Sequence, residues 1–280
     1  MEKNKAIFGV AVVGGAAVAG AILSLIFSTF LDLGTVKTVE TTAPAPETRA
    51  ARGIVYNPPR PQDAPESIRD AVLLGYNLLR HTRKYAASYV GNQLNCDSCH
   101  FKGGITEGGK GGGLSLVGVA AIYPEYKKRE QYSVDLVSRT NDCFERSMNG
   151  KPLPPDSKEM TAIVTYYQWI SKGLPIYAKI PWLGLKHLQS THVPDKAQGQ
   201  KVFVQKCAVC HGPDGQGTQI APPLWGPQSF NDGAGMAKPQ NLSAFAYLNM
   251  PLGNPDLTEA PALDVGWYVI SQPRPHFKNR

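Results

Sequence analysis

Cys96-Asp97-Ser98-Cys99-His100 and Cys207-Ala208-Val209-Cys210-His211 take up four of the five cysteines in this 280-residue chain. In each run two thiols stand a helical turn apart and an imidazole follows at once. That is the attachment pattern of c-type haem: the thiols add to the two vinyl groups of one porphyrin, and the histidine reaches the iron as proximal ligand. With this composition, chance supplies roughly 0.002 such matches. A redox disulfide would sit in a βαβ setting, and a zinc site does not need a histidine after each pair. The sequence therefore predicts two covalently bound haem c groups. Cys96, Cys99, His100, Cys207, Cys210 and His211 attach them, with His100 and His211 on the metals.

Outward from these runs the apolar spacing is helical. Ile68, Val72, Leu73, Tyr76 and Leu79 predict a helix starting near Glu66. Met160, Ile163, Val164, Tyr167 and Ile170 predict a second over about 156–172, stopped at Gly173. A third starts near Asp195 and runs into Cys207, a short one covers Leu242–Leu248, and a last runs from Thr258 to about Ser271, ahead of Pro273. No alternating pattern of strand length is present. The order of helix, cysteine cluster, long loop and closing helix occurs twice. The expected fold is all-α, with two cytochrome c-type haem domains in tandem, at 66–180 and 181–280.

Ahead of them, Ala6 to Leu31 carries no charge, with Lys3 and Lys5 before it and Asp32 after. As a helix it would span roughly 39 Å against a hydrocarbon core of ~30 Å. The leading lysines place the N-terminus in the cytoplasm and the rest of the chain outside. Residues 1–33 are thus expected to be a membrane anchor, the rival being a cleaved signal peptide, for which Ala43-Pro44-Ala45 followed by Pro46 is a poor site. The Pro-rich stretch 34–65 reads as an extended tether. Composition agrees with an exported soluble part: 42% hydrophobic and 18% charged residues exclude wholesale disorder and a polytopic membrane protein. The net charge of +7 is spread along the chain, which suits small anions or an acidic protein partner rather than nucleic acid.

Each haem leaves a sixth iron position. For the second haem the candidates are Met236 and Met250, and Met250 is favoured because Pro251 stiffens the turn after it; a soft thioether stabilises Fe(II) and raises the potential. For the first, Cys143 is the fifth cysteine and Met148 follows five residues on. A thiolate would lower the potential, so that electrons run from the first haem to the second.

The run Arg139-x-Asn141-x-Cys143-x-x-Arg146-Ser147-Met148-Asn149-Gly150-x-x-Leu153, with Asn249-Met250-Pro251-Leu252-Gly253 and Ser271-Gln272-Pro273-Arg274-Pro275 behind it, resembles the tetrathionate-forming thiosulfate dehydrogenases, a dihaem cytochrome c family. The resemblance covers about residues 66 to 277. It implies that Cys143 ligates the active-site haem and Met250 the second. A lysine precedes that methionine in some relatives; Asn249 stands here. The implied reaction is 2 S₂O₃²⁻ → S₄O₆²⁻ + 2 e⁻, one electron for each haem, and tetrathionate reduction if the potentials lie near that couple. Two dianions must meet, so cations are needed. Arg129, Arg139 and Ser147 are the first choices, then Arg146 and Lys151. Cys143 is expected to leave the iron or form a transient sulfur adduct when substrate arrives. The implied acceptor is a cytochrome c, a high-potential iron–sulfur protein or a membrane oxidase, on the periplasmic side of a bacterial inner membrane. A tethered dihaem carrier without chemistry of its own, and a haem-thiolate sulfur-transfer enzyme, are the competing readings.

Other features carry less. Gly104 to Gly111 imitates a P-loop but ends in glycine where Ser or Thr is needed; it reads as a glycine-rich loop beside the first haem. His81, His187, His192 and His276 have no metal-binding spacing. Tyr166, Tyr167 and Trp169 read as core.

Overall fold

The computed structural model describes residues 53–110 and 114–278. The expected anchor and most of the tether lie outside them, and among the described residues no helix is long and apolar enough to cross a membrane. Helix α1 (Glu66–Arg80) starts after Pro65 with Glu66 in its first turn and Arg80 in its last, charges that suit the helix dipole. It buries Val72, Gly75, Leu78 and Leu79. The hairpin strands β1 (Glu125–Lys127) and β2 (Tyr132–Val134) pair antiparallel, Glu125 opposite Val134. Helix α2 (Leu136–Asp142), capped by Asp135 Oδ1 on the Ser138 amide, runs directly into a π-helical turn, Cys143–Ser147. Helix α3 (Lys158–Ile170) has Ser157 as its N-cap.

The second half repeats the plan. Helix α4 (Lys196–Val202), capped by Asp195, continues through a second π-helical turn, Phe203–Cys207, into the one-turn helix Ala208–His211. Helices α5 (Pro239–Asn249) and α6 (Glu259–Ile270) follow. In each half the leading helix crosses the closing one at a glycine. A Cβ on Gly75 would lie 2.2 Å from the Ala162 carbonyl oxygen of α3, and one on Gly199 would lie 2.1 Å from that of Asp264 in α6. Only a residue without a side chain lets the backbones approach so closely. The duplication read from the sequence is therefore physical: two helix pairs, each crossed at glycine and each over its own core. One core holds Leu78, Phe144, Met148, Met160, Ile163 and Tyr166, and the other Phe203, Trp225, Leu242, Val265 and Val269.

Two expectations change. The hairpin is strand where none was expected; three residues a side is too short to show alternation, and only Val134 of β2 is buried. Residues 136–147 are helical although no apolar stripe announced them, because this segment is polar and buries only Thr140 in α2 and Phe144 in the turn. Residues 53–65, at the end of the Pro-rich stretch, lie against the first core: Ala64 is fully buried, and the Trp169 indole donates to Arg60 O at 3.0 Å.

Candidate functional site

His100 follows Cys99 at the end of a short 3₁₀ turn, Cys96–Ser98. Thr82 Oγ1 fixes that turn by accepting the Cys96 amide at 2.9 Å, and Asp97 Oδ1 accepts the Gly103 amide at 2.6 Å. His100 Nδ1 lies 2.6 Å from Leu114 O. A carbonyl only accepts, so the proton is on Nδ1 and Nε2 keeps its lone pair for a metal. Burial holds the imidazole neutral, its pKa lowered to about 4. The second site repeats this: His211 Nδ1 donates to Pro222 O at 2.7 Å, and burial again lowers the imidazole pKa.

None of the five cysteines is in a disulfide. Burial pushes the Cys96 and Cys99 thiols up to about 12 and Cys207 to about 11. Burial thus disfavours a charged thiolate at all three. Among the described residues no cluster of three His, Cys, Asp or Glu could hold a bare metal ion. Paired thiols with a tautomer-locked histidine beside each pair fit a covalently attached porphyrin, which brings its own four nitrogens.

The structure brings Cys143 to the first of these sites. Burial is the main cause of the raised Cys96, Cys99 and Tyr167 pKa values, with a smaller contribution from nearby Cys143, and of the lowered His100 pKa, with a smaller contribution from nearby Arg139, so these groups face one space. Arg139 and Cys143 are i and i+4 on a continuous helix and hence share a face. Arg139 Nη1 donates to Cys143 Sγ at 3.0 Å. The field of Cys143, above all else, raises the Arg139 pKa, against the opposing effect of burial.

The other expected cations are differently placed. Arg129, in the hairpin, reaches Asp142 Oδ2 at 2.8 Å and pairs with Glu130. Arg146 Nε lies 3.2 Å from Asp142 Oδ1, and its guanidinium sits over the Phe277 ring at 4.3 Å. Two arginines thus face two carboxylates and their charges cancel, whereas Arg139 has no carboxylate within ion-pair distance among the described residues. Ser147, partly buried, ends the π-helical turn. Lys151 is exposed, its Nζ 5.5 Å from the Tyr89 ring centre. Met148 is buried in the first core. Met236 packs between the two cores. Met250, partly buried, caps α5, its amide donating to Ala246 O at 2.8 Å.

The sequence did not mark Thr82 or the carbonyls of Leu114 and Pro222, which lock the site through hydrogen bonds; Tyr167, read as core, is buried as expected. The glycine-rich loop does return to His100 through Leu114, but its Gly109–Lys110 step lies on α5. His187, His192 and His276 make ordinary loop contacts with Asn241, Asp264 and Asp232.

Comparison with known proteins places the chain in context. Residues 83–176 match the family described as SoxA/TsdA, cytochrome c domain, and residues 196–262 match Cytochrome c. The thiosulfate dehydrogenase of Thiomonas intermedia (strain K12) is 37% identical over 232 residues, 80% of this chain and 72% of that protein. That of Allochromatium vinosum is 35% identical over 219 residues, 76% of this chain and 81% of that one. The solved thiosulfate dehydrogenase TsdBA of Marichromatium purpuratum aligns with a TM-score of 0.73 at 30% identity; the match covers 78% of this chain and about half (49%) of that one.

Proposed function

The chain belongs to the thiosulfate dehydrogenase family of c-type cytochromes, and we propose that it joins two thiosulfates into tetrathionate at the space bounded by His100, Arg139 and Cys143. It is an oxidoreductase with two covalently bound haem c groups, at Cys96/Cys99/His100 and Cys207/Cys210/His211. When bound, these groups supply two one-electron sinks, matching the two electrons released in 2 S₂O₃²⁻ → S₄O₆²⁻ + 2 e⁻.

In this reading His100 and Cys143 would hold the first haem iron, and His211 and Met250 the second. The observation that carries it is the 3.0 Å contact between Arg139 Nη1 and Cys143 Sγ. Of the three arginines near Cys143, Arg139 alone has no carboxylate within ion-pair distance among the described residues. Its fork takes whichever acceptor lies against it: the Cys143 sulfur at rest, a thiosulfate in turnover. Binding of substrate at Arg139 then weakens the hold on Cys143, which frees the sulfur to move aside. Arg129 and Arg146, balanced by Asp142 and Glu130, act as a reserve that a second dianion can recruit by exchanging with those carboxylates, with Ser147 as a hydroxyl donor beside them and Lys151 further out. Electrons leave from the second site to a cytochrome c, a high-potential iron–sulfur protein or a membrane oxidase on the periplasmic side of the membrane.

The test is direct. Oxidised protein mixed with thiosulfate under argon should show haem reduction by absorbance and yield tetrathionate. No reduction by thiosulfate alone would leave an electron carrier, and consumption only with an added carrier protein would mean sulfur transfer.

A further inference from the structure

Both segments that carry a distal sulfur end a helix, and a helix end leaves carbonyls without intrahelical donors. In the π-helical turn of Cys143 the local amides of Met148 and Gly150 meet Cys143 O and Phe144 O at 2.9 and 2.8 Å, and the donors to the next three carbonyls come from elsewhere. Asn231 Nδ2 donates to Glu145 O at 2.8 Å and to Asn149 Oδ1 at 3.2 Å, and the Asn231 amide donates to Arg146 O at 3.2 Å. Asn92 Nδ2 bridges Ser147 O at 2.9 Å and Ser229 O at 3.0 Å. Asn231 is 1% exposed, and its Oδ1 accepts the Gly233 amide at 3.1 Å, so its amide group is fully used. It belongs to the second cytochrome segment, whereas Cys143 belongs to the first.

The converse holds at Met250. The last carbonyls of α5 face the glycine-rich loop of the first segment: the Lys110 amide donates to Leu248 O at 2.9 Å, and the Gly109 amide to Asn249 Oδ1 at 3.1 Å. Lys110 Nζ reaches Leu257 O, beyond the turn, at 2.6 Å. Asn249, 1% exposed, returns its Nδ2 to Phe245 O at 3.1 Å. A Cβ on Gly109 would lie 2.7 Å from Leu248 O and 2.6 Å from Pro255 Cγ, so the approach requires glycine.

We propose that each cytochrome segment positions the other's distal sulfur: Asn231 holds the turn of Cys143, and the Gly109–Lys110 step, through Leu248 and Asn249, holds the turn of Met250. Asn231 and Gly109 are positioning residues acting through backbone, not catalytic ones. The proposal rests on the reading of Cys143 and Met250 as distal ligands. Its consequence is that loosening either clasp alters the metal coordination of the domain it reaches into and not that of its own.

The test uses the haem-loaded ferric protein, reading low-spin thiolate resonances for the first site, the sulfur-to-iron charge-transfer band for the second, and both potentials. Asn231→Ala should increase the fraction of molecules lacking the thiolate signature about tenfold, the effect of one lost buried hydrogen bond, and raise the first potential while leaving the methionine band intact. Gly109→Ala should weaken the methionine band, lower the second potential and spare the thiolate signature. Wild-type protein without a thiolate signature would overturn the ligation reading and the clasp with it. A wild-type signature that neither variant moves, or variants that disturb only the haem of their own segment, would overturn the clasp alone. If Asn231→Ala does not accumulate, Asn231→Asp keeps the shape and the acceptor to Gly233 while removing both donors, and the same shift is expected. If neither accumulates, the Asn231 and Met148 amides of the wild type should exchange hydrogen at one common rate, and separate rates would overturn the proposal.

Discussion

Replacing Arg139 with leucine removes the charge nearest Cys143 and keeps much of the side-chain bulk. The guanidinium nitrogen is 3.0 Å from the sulfur. Unit charges about 4 Å apart attract by about 4 kcal/mol at an effective dielectric of 20. Desolvation of both groups brings the net contribution to the range of a charged hydrogen bond, about 1.5–3 kcal/mol. If thiosulfate inherits that contact, Arg139→Leu should lower kcat/KM by about 10- to 100-fold. Arg139→Lys restores the charge but not the fork and should fall between the two. The same hydrogen bond draws electron density from the sulfur, so its loss should also lower the potential of the first haem. Steady-state oxidation of thiosulfate, paired with a redox titration of each variant, reads both effects. The contact is partly buried, and added salt should screen it only weakly. Arg139→Leu with wild-type kcat/KM and an unmoved potential would refute the argument; Arg139→Lys indistinguishable from Arg139→Leu would refute its electrostatic half.

Other perturbations separate the remaining roles. Cys143→Met should keep both haems but lose thiosulfate oxidation by at least about 100-fold, with a raised first potential; full activity would exclude the cysteine from the chemistry. Met250→Ala should abolish the methionine charge-transfer band, lower the second potential and cut turnover with an external acceptor by about tenfold or more, whereas Met236→Ala should leave the band in place. The reverse result would move the ligand to Met236. Gly75→Ala and Gly199→Ala press a methyl into backbone oxygens 2.2 and 2.1 Å away; each should cost about 3 kcal/mol or fail to fold, read as a fall in thermal midpoint. A neutral result would mean that the helix crossings are looser than described.

Legibility in the sequence followed the range of the interaction. The attachment runs are local: thiols and imidazole within five residues specify their chemistry wherever the chain goes, so the cofactor could be read without a fold. Helices α1, α3 and α6 were equally plain, because an apolar stripe at helical spacing is what burial on one side demands. Gly75 lay inside the α1 pattern and Gly199 inside α4 without a sign of their role; only the Ala162 and Asp264 carbonyls opposite explain them. Segment 136–147 was visible as a motif but not as a helix, since polar residues there serve a site rather than a core. By sequence Arg139 stood level with Arg129 and Ser147 as a first choice, ahead of Arg146 and Lys151. What sets it apart is a subtraction done in space, where Asp142 balances Arg129 and Arg146 but not the guanidinium one turn before Cys143.

The hidden part is also the part that joins the two halves. Phe101, next to His100, packs at a tilt against Phe245 of α5 with ring centres 5.7 Å apart, and Asn231 and Gly109 donate to Glu145 O and Asn249 Oδ1, 86 and 140 residues away in sequence. Contacts of such separation pay a large closure entropy before they return anything, and buried amides are retained there because leaving either partner unsatisfied costs more than the bond itself contributes. Two independent cytochrome domains on a flexible string would have capped their own helices with local glycine or asparagine, at lower entropic cost. A chain that instead places the caps across the interface has made the orientation of one domain a condition for finishing the other. Electron transfer between the two sites needs that orientation fixed, and under the proposed clasp the same few hydrogen bonds would also set the turns of Cys143 and Met250.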